Sequence, residues 1–96
     1  MKRKSISEIT RDPRWQRVRL SLIGQWTSKP DWCCKQLRGY LVSVLGASND
    51  ELRIVMNYIV GTAFRIGKIK HKCIQDLRDE ISNEIKKRKK DKVWYD

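Results

Sequence analysis

The sequence predicts an all-α protein, a compact bundle of three to four helices around a central hydrophobic helix. Three observations carry this reading. Apolar residues recur at three- and four-residue spacing, start and stop residues punctuate the chain, and no strand-like alternation lasts beyond a few residues. At 96 residues, 40% hydrophobic and 34% charged, the chain reads as a single helical domain over 1–96. A short basic arm (1–12) precedes the bundle, and a basic, aromatic tail (about 86–96) follows it. A domain of this length buries only ~60–65% of its unfolded surface, so its stability margin is thin.

Asp12-Pro13 opens the first helix, with Asp as N-cap and Pro in the first turn, and the pattern runs to about Thr27. Ser28-Lys29-Pro30 breaks it. Pro30 and Asp31 begin a second helix that ends near Leu45, with Gly46 as its C-cap. Ser48 and Glu51 have the spacing of a capping box and open a third helix reaching about Ile66. Gly67 bends, ends or weakens it, and a fourth segment, "KIKHKCIQDLRDEISNEIKKRKK", continues in helix-forming residues.

Steps of 100° per residue assign the faces. In the first helix Trp15, Val18, Leu22 and Trp26 share a sector flanked by Ile23, while Arg14, Arg17 and Ser21 lie opposite. Arg19 is the exception and falls among the tryptophans. The second helix gathers Cys33, Leu37, Tyr40, Leu41, Val44 and Leu45 on one face, with Trp32 off it. The third is apolar nearly all round, with a polar strip of Arg53, Asn57, Gly61 and Arg65, as a central helix should be. The fourth repeats Ile69, Cys73, Leu77, Ile81 and Ile85 every four residues. If the chain itself leaves that stripe uncovered, a homodimer follows.

Several function classes are excluded. Cys33, Cys34, His71 and Cys73 are metal-binding types, but neighbours on a helix diverge by about 100° and residues two apart by about 200°, so neither pair can pinch an ion. Without C-x-x-C or H-x-x-x-H spacing no metal site is expected; Cys33 and Cys73 read as small apolar core residues and Cys34 as an edge thiol. His71 lies among Lys68, Lys70 and Lys72 with no nucleophile beside it. No phosphate loop, H-E-x-x-H or cofactor motif occurs, so the chain reads as non-enzymatic, with no catalytic residues and no cofactor. No apolar run approaches the ~20 residues of a membrane span, and "MKRKSISEITRDPRW" lacks the apolar core of a secretory signal. Three cysteines, two of them adjacent, make a poor disulfide framework and point to a reducing, cytoplasmic setting; nuclear residence stays open.

Charge supplies the positive indication. The net charge is +11 and the pI about 10.0, which favours polyanionic partners. Residues 1–30 hold eight Lys/Arg against two Asp/Glu, residues 31–66 four against three, and residues 67–96 ten against six. Two basic poles result. One comprises Lys2, Arg3, Lys4, Arg11, Arg14 and Arg17; the other comprises Lys86, Lys87, Arg88, Lys89 and Lys90. One or two lysines would serve the helix dipole, and five in succession exceed that role.

These clusters suit phosphate-backbone contact of low sequence specificity with DNA or RNA, within a larger nucleoprotein assembly. Sequence readout by a helix-turn-helix is disfavoured, because the third helix is too apolar to lie in a groove. A second reading is a small inhibitor or adaptor, of the kind viruses and mobile elements use, docking on an acidic or nucleic-acid-binding surface of a larger enzyme complex. In that case Arg19, Trp32, Trp94 and Tyr95 supply the protein contact. The plain alternative for Trp94 and Tyr95 is that they fold back over the bundle.

Overall fold

The computed structural model describes residues 5–66 and 72–91, with side chains for 5–61 and 72–91. Within them the chain is all-α: α1 (Ile6–Ile9), α2 (Pro13–Leu22), α3 (Pro30–Leu41), α4 (Asn49–Ile66) and α5 (Lys72–Lys90). The central α4 packs against α5, α1 and α3, and α3 in turn contacts α2 and α5. Gly67 and Ile69 lie outside the described residues, so the passage between α4 and α5 is not described.

Local chemistry explains the starts. Asp12 caps α2, its carboxylate accepting the Arg14 backbone N–H at 3.0 Å, and Pro13 fills the first turn. The capping box at α4 is reciprocal: Glu51 N–H donates to Ser48 Oγ at 3.1 Å, and Ser48 N–H donates to Glu51 Oε1 at 2.8 Å. Ser5 and Glu8 carry the same S-x-x-E spacing within the stretch read as an arm. There Ser5 Oγ accepts the Glu8 N–H at 3.3 Å, and the single turn of α1 lays Ile9 into the core.

The ends differ from expectation. α2 stops at Leu22, five residues before Thr27, and Gly24 takes φ +73°, which only glycine adopts without steric cost. The chain then turns back and buries Trp26, whose Nε1–H donates to Tyr58 Oη at 2.7 Å. Trp26 thus reaches the core from a turn, and Ile23, expected to flank the apolar sector, is exposed.

α3 stops at Leu41 rather than Leu45. Val42 has φ +64° and ψ −58°, and Ser43 N–H donates to Leu41 O at 2.7 Å, which together make a γ-turn of the rare positive-φ form. Gly46 is therefore no C-cap; its N–H donates to Ser43 Oγ at 3.0 Å inside the loop. Val42 is 87% exposed and Leu45 75%, so Leu45, assigned to a buried face, is not on one. The guanidinium of Arg88 holds this loop in place. It donates to Glu84 Oε2 at 2.8 Å, to Asn49 Oδ1 at 2.8 Å, and to the carbonyls of Leu45 at 3.1 Å and Val44 at 3.5 Å.

The core is one cluster. Trp15, Leu22, Leu37, Leu52, Val55, Ile59, Leu77 and Ile81 are among its most deeply buried members. Cys33 is buried as expected, Cys34 is buried too, and Cys73 is half-buried. On α5 Ile74, Leu77 and Ile81 are buried, with Ile85 packed against the cluster. Among the described residues the chain covers this stripe itself from Cys73 to Ile85, and Ile69 lies outside them. Arg53, placed on the polar strip of α4, is instead buried and pairs with Asp50 at 3.4 Å.

Two expectations test this account. Arg88→Met should lower stability by about 2–4 kcal/mol in urea unfolding, because it removes the charged partner of Glu84 and the donor to the Val44 and Leu45 carbonyls. Val42→Gly should raise stability by about 0.5–1 kcal/mol, since relief at positive φ outweighs glycine's extra backbone entropy.

Candidate nucleic-acid interface

Some basic residues are held by protein partners and others are turned to solvent, while Arg14 is both paired and 56% exposed. On α5 the core stripe of Leu77, Ile81 and Ile85 defines the inner face. At 100° per residue Arg88 falls about 20° from Ile81 and so joins that stripe. Its side chain is only 12% exposed and its partner Glu84 11%, so this is a part-buried clasp rather than an ordinary surface pair. The signal was present in the spacing, as Arg88 stands seven residues after Ile81 and eleven after Leu77. Lys86, Lys87 and Lys90 lie on the opposite side of the helix and are exposed, and exposed Lys89 sits on its flank.

The other pole divides in the same way. Arg11 and Arg17 are exposed. Arg14 is engaged: its guanidinium reaches Glu51 Oε2 at 2.7 Å and Asp12 Oδ2 at 3.6 Å, and lies 5.2 Å from the Tyr40 ring centroid. Tyr40 Oη donates to Asp12 Oδ2 at 3.1 Å, so this node ties the start of α2, the end of α3 and the start of α4. Lys2, Arg3 and Lys4 lie outside the described residues, as do Trp94, Tyr95 and His71. Arg19 is exposed beside exposed Leu20 and Ile23, and Trp32 is 39% exposed.

Electrostatics within these nodes follow from burial and hydrogen bonding. Burial opposes the charged form of Glu51, but the Ser48 N–H and the Arg14 guanidinium outweigh it and hold the carboxyl below its ordinary value. Glu80 is likewise lowered, chiefly by hydrogen bonds from Arg38, whose two nitrogens each meet a carboxylate oxygen at 3.0 Å and join α3 to α5. Tyr40 is pushed up, first by burial and then by its bond to Asp12, which keeps the phenol protonated.

A groove of about 410 Å³ opens between α1, the Asp12 cap and the start of α4, lined by Glu8, Asp12, Arg14, Tyr40, Asp50 and Glu51 among others. Its four carboxylates, Glu8, Asp12, Asp50 and Glu51, make this groove unfavourable for phosphate. Among the described residues no group of three or more His, Cys, Asp or Glu has metal-binding geometry, and no helix is long and apolar enough to cross a membrane. No protein-family model, curated protein sequence or solved structure matches this chain.

The depressed carboxyls fix a pH dependence. Because Glu51 and Glu80 ionise more readily folded than unfolded, the stability they confer is present above the ordinary carboxyl value of 4.5. It is lost as pH falls through their folded values. Thermal unfolding followed from pH 6 to about pH 3 should show a falling Tm, and Glu51→Gln should flatten that slope.

Proposed function

We propose that this chain is a small nucleic-acid-associated protein that binds the phosphate backbone with low sequence specificity inside a larger nucleoprotein assembly. The observation that supports it best is the outer face of α5, where Lys86, Lys87 and Lys90 stand exposed opposite the core stripe with Lys89 beside them. Lysines along one helix face neutralise successive phosphates and release counterions, a contact that needs no base recognition. Arg11 and Arg17 add a second exposed basic area, and the net charge of +11 steers the approach. Arg88 and Arg14 serve the fold in this reading, so the phosphate contacts belong mainly to lysine.

A second reading draws on a separate observation. Arg19, Leu20 and Ile23 at the end of α2, and Trp32 on α3, expose apolar and cationic groups of the kind found at interface hot spots. There the charge guides the protein onto an acidic enzyme surface, and these residues make the contact.

Fluorescence anisotropy with labelled single- and double-stranded oligonucleotides, at about 50 and 200 mM salt, separates the two. Backbone binding predicts a steep fall in affinity across that range, similar for unrelated sequences. Replacing Lys86, Lys87, Lys89 and Lys90 with Gln should reduce the duplex salt slope by about 3–4, with helicity unchanged by circular dichroism. An unchanged slope would remove the α5 face from the site. No binding at the lower salt, together with loss of a protein partner in Trp32→Ala, would favour docking.

A further inference from the structure

Three cysteines surround the contact of α3 with α5. Cys34, in the second turn of α3, and Cys73, at the start of α5, stand 39 positions apart in sequence, yet their sulfurs are 2.6 Å apart. That is closer than unbonded sulfurs ordinarily come and near the ~2.05 Å of an S–S bond. Neither cysteine is in a disulfide in the structure. Cys34 is buried, and Cys73 is half-buried with Pro30 O at 3.8 Å from its sulfur. Cys33 is fully buried and projects about 100° away round α3. The pairing is therefore specific to one of two adjacent cysteines, which their sequence order does not reveal.

We infer that Cys34 and Cys73 are a covalent modification site: a small-molecule disulfide, such as oxidised glutathione, converts them to an intramolecular disulfide linking α3 to α5. Cys73 is the accessible partner and reacts first. Its thiolate attacks one sulfur of the small disulfide, forming a mixed disulfide and releasing one small thiolate. The Cys34 thiolate then attacks the Cys73 sulfur, closing the Cys34–Cys73 bond and releasing the second. The two cysteines give up two protons and two electrons, and the small disulfide leaves as two thiols. Burial raises the Cys34 pKa and keeps that thiol protonated, so closure is the slow step. An excess of small thiol reverses the sequence. The bond encloses all of α4 in its loop and fastens the start of α5 to α3. It does not depend on the polyanion reading.

The full chain is incubated without denaturant, over hours, with oxidised glutathione or with dithiothreitol, then quenched, unfolded, alkylated and mapped by mass spectrometry. The expected product is a monomer about 2 Da lighter, with Cys33 alone alkylated and a peptide joining Cys34 to Cys73. Its unfolding constant should fall about a hundredfold or more, raising Tm by about 10–20 °C, and dithiothreitol should undo both changes. Cys73→Ala should show neither response, whereas Cys33→Ala should retain both. Three alkylated thiols after oxidation, a bond from Cys33, a lasting glutathione adduct or a disulfide-linked dimer would each overturn the proposal. The peptide map of the unmodified sequence decides the matter even if a variant fails to fold.

Discussion

Trp15 is where three helices meet. Its indole, carried by α2, lies against Tyr40 of α3 at a centroid separation of 5.3 Å and edge-on to Tyr58 of α4 at 5.4 Å. Tilted and T-shaped geometries of this kind add about 0.5–1.5 kcal/mol each beyond the area they bury. The two tyrosines then extend the junction outward by their hydroxyls, Tyr40 to the Asp12 cap and Tyr58 to Trp26. In a domain with so thin a margin, one ring therefore sets the relative placement of α2, α3 and α4.

Much of this was legible in the sequence, and the legible part shares a cause. Asp12-Pro13, Pro30 and Ser48 with Glu51 mark helix starts through bonds made within four residues, so they need no knowledge of the fold. The stripe of α5 and the apolar girth of α4 are equally local statements of periodicity. The ends of α2 and α3 are different. α2 yields at Gly24 because Trp26 finds Tyr58, which is 32 positions away. The loop after α3 takes its shape with Arg88 on its carbonyls, more than 40 positions away. Long-range partners of this kind leave no periodic trace. The turn of α1 was readable, since Ser5 and Glu8 repeat the spacing at Ser48 and Glu51, but a basic arm was inferred from charge instead.

The candidate site was legible as composition and not as geometry. In the linear sequence Lys86 to Lys90 are five equal cations, and Arg14 resembles Arg17. In the fold, Arg14, Arg38, Arg53 and Arg88 each meet a carboxylate, with Arg88 also reaching an amide and two carbonyls. This follows from chemistry: a planar guanidinium with five donors can satisfy several acceptors at once, whereas an ammonium is strongly hydrated and favours open solvent. In the last turns of α5 the exposed cations, Lys86, Lys87, Lys89 and Lys90, are accordingly all lysines, although Arg78 earlier on the helix is exposed as well.

The γ-turn at Val42 has a consequence for how this protein behaves as a solute. It lifts two aliphatic side chains, Val42 and Leu45, into water on a molecule whose net charge is +11. In dilute buffer the like charge of neighbouring molecules keeps such knobs apart. Added salt shortens the screening distance, from about 10 Å at 0.1 M to about 3 Å at 1 M, while leaving the attraction between aliphatic groups intact. Ionic strength thus becomes a control on colloidal stability, with the Val42–Leu45 loop among the apolar contacts that charge no longer holds apart.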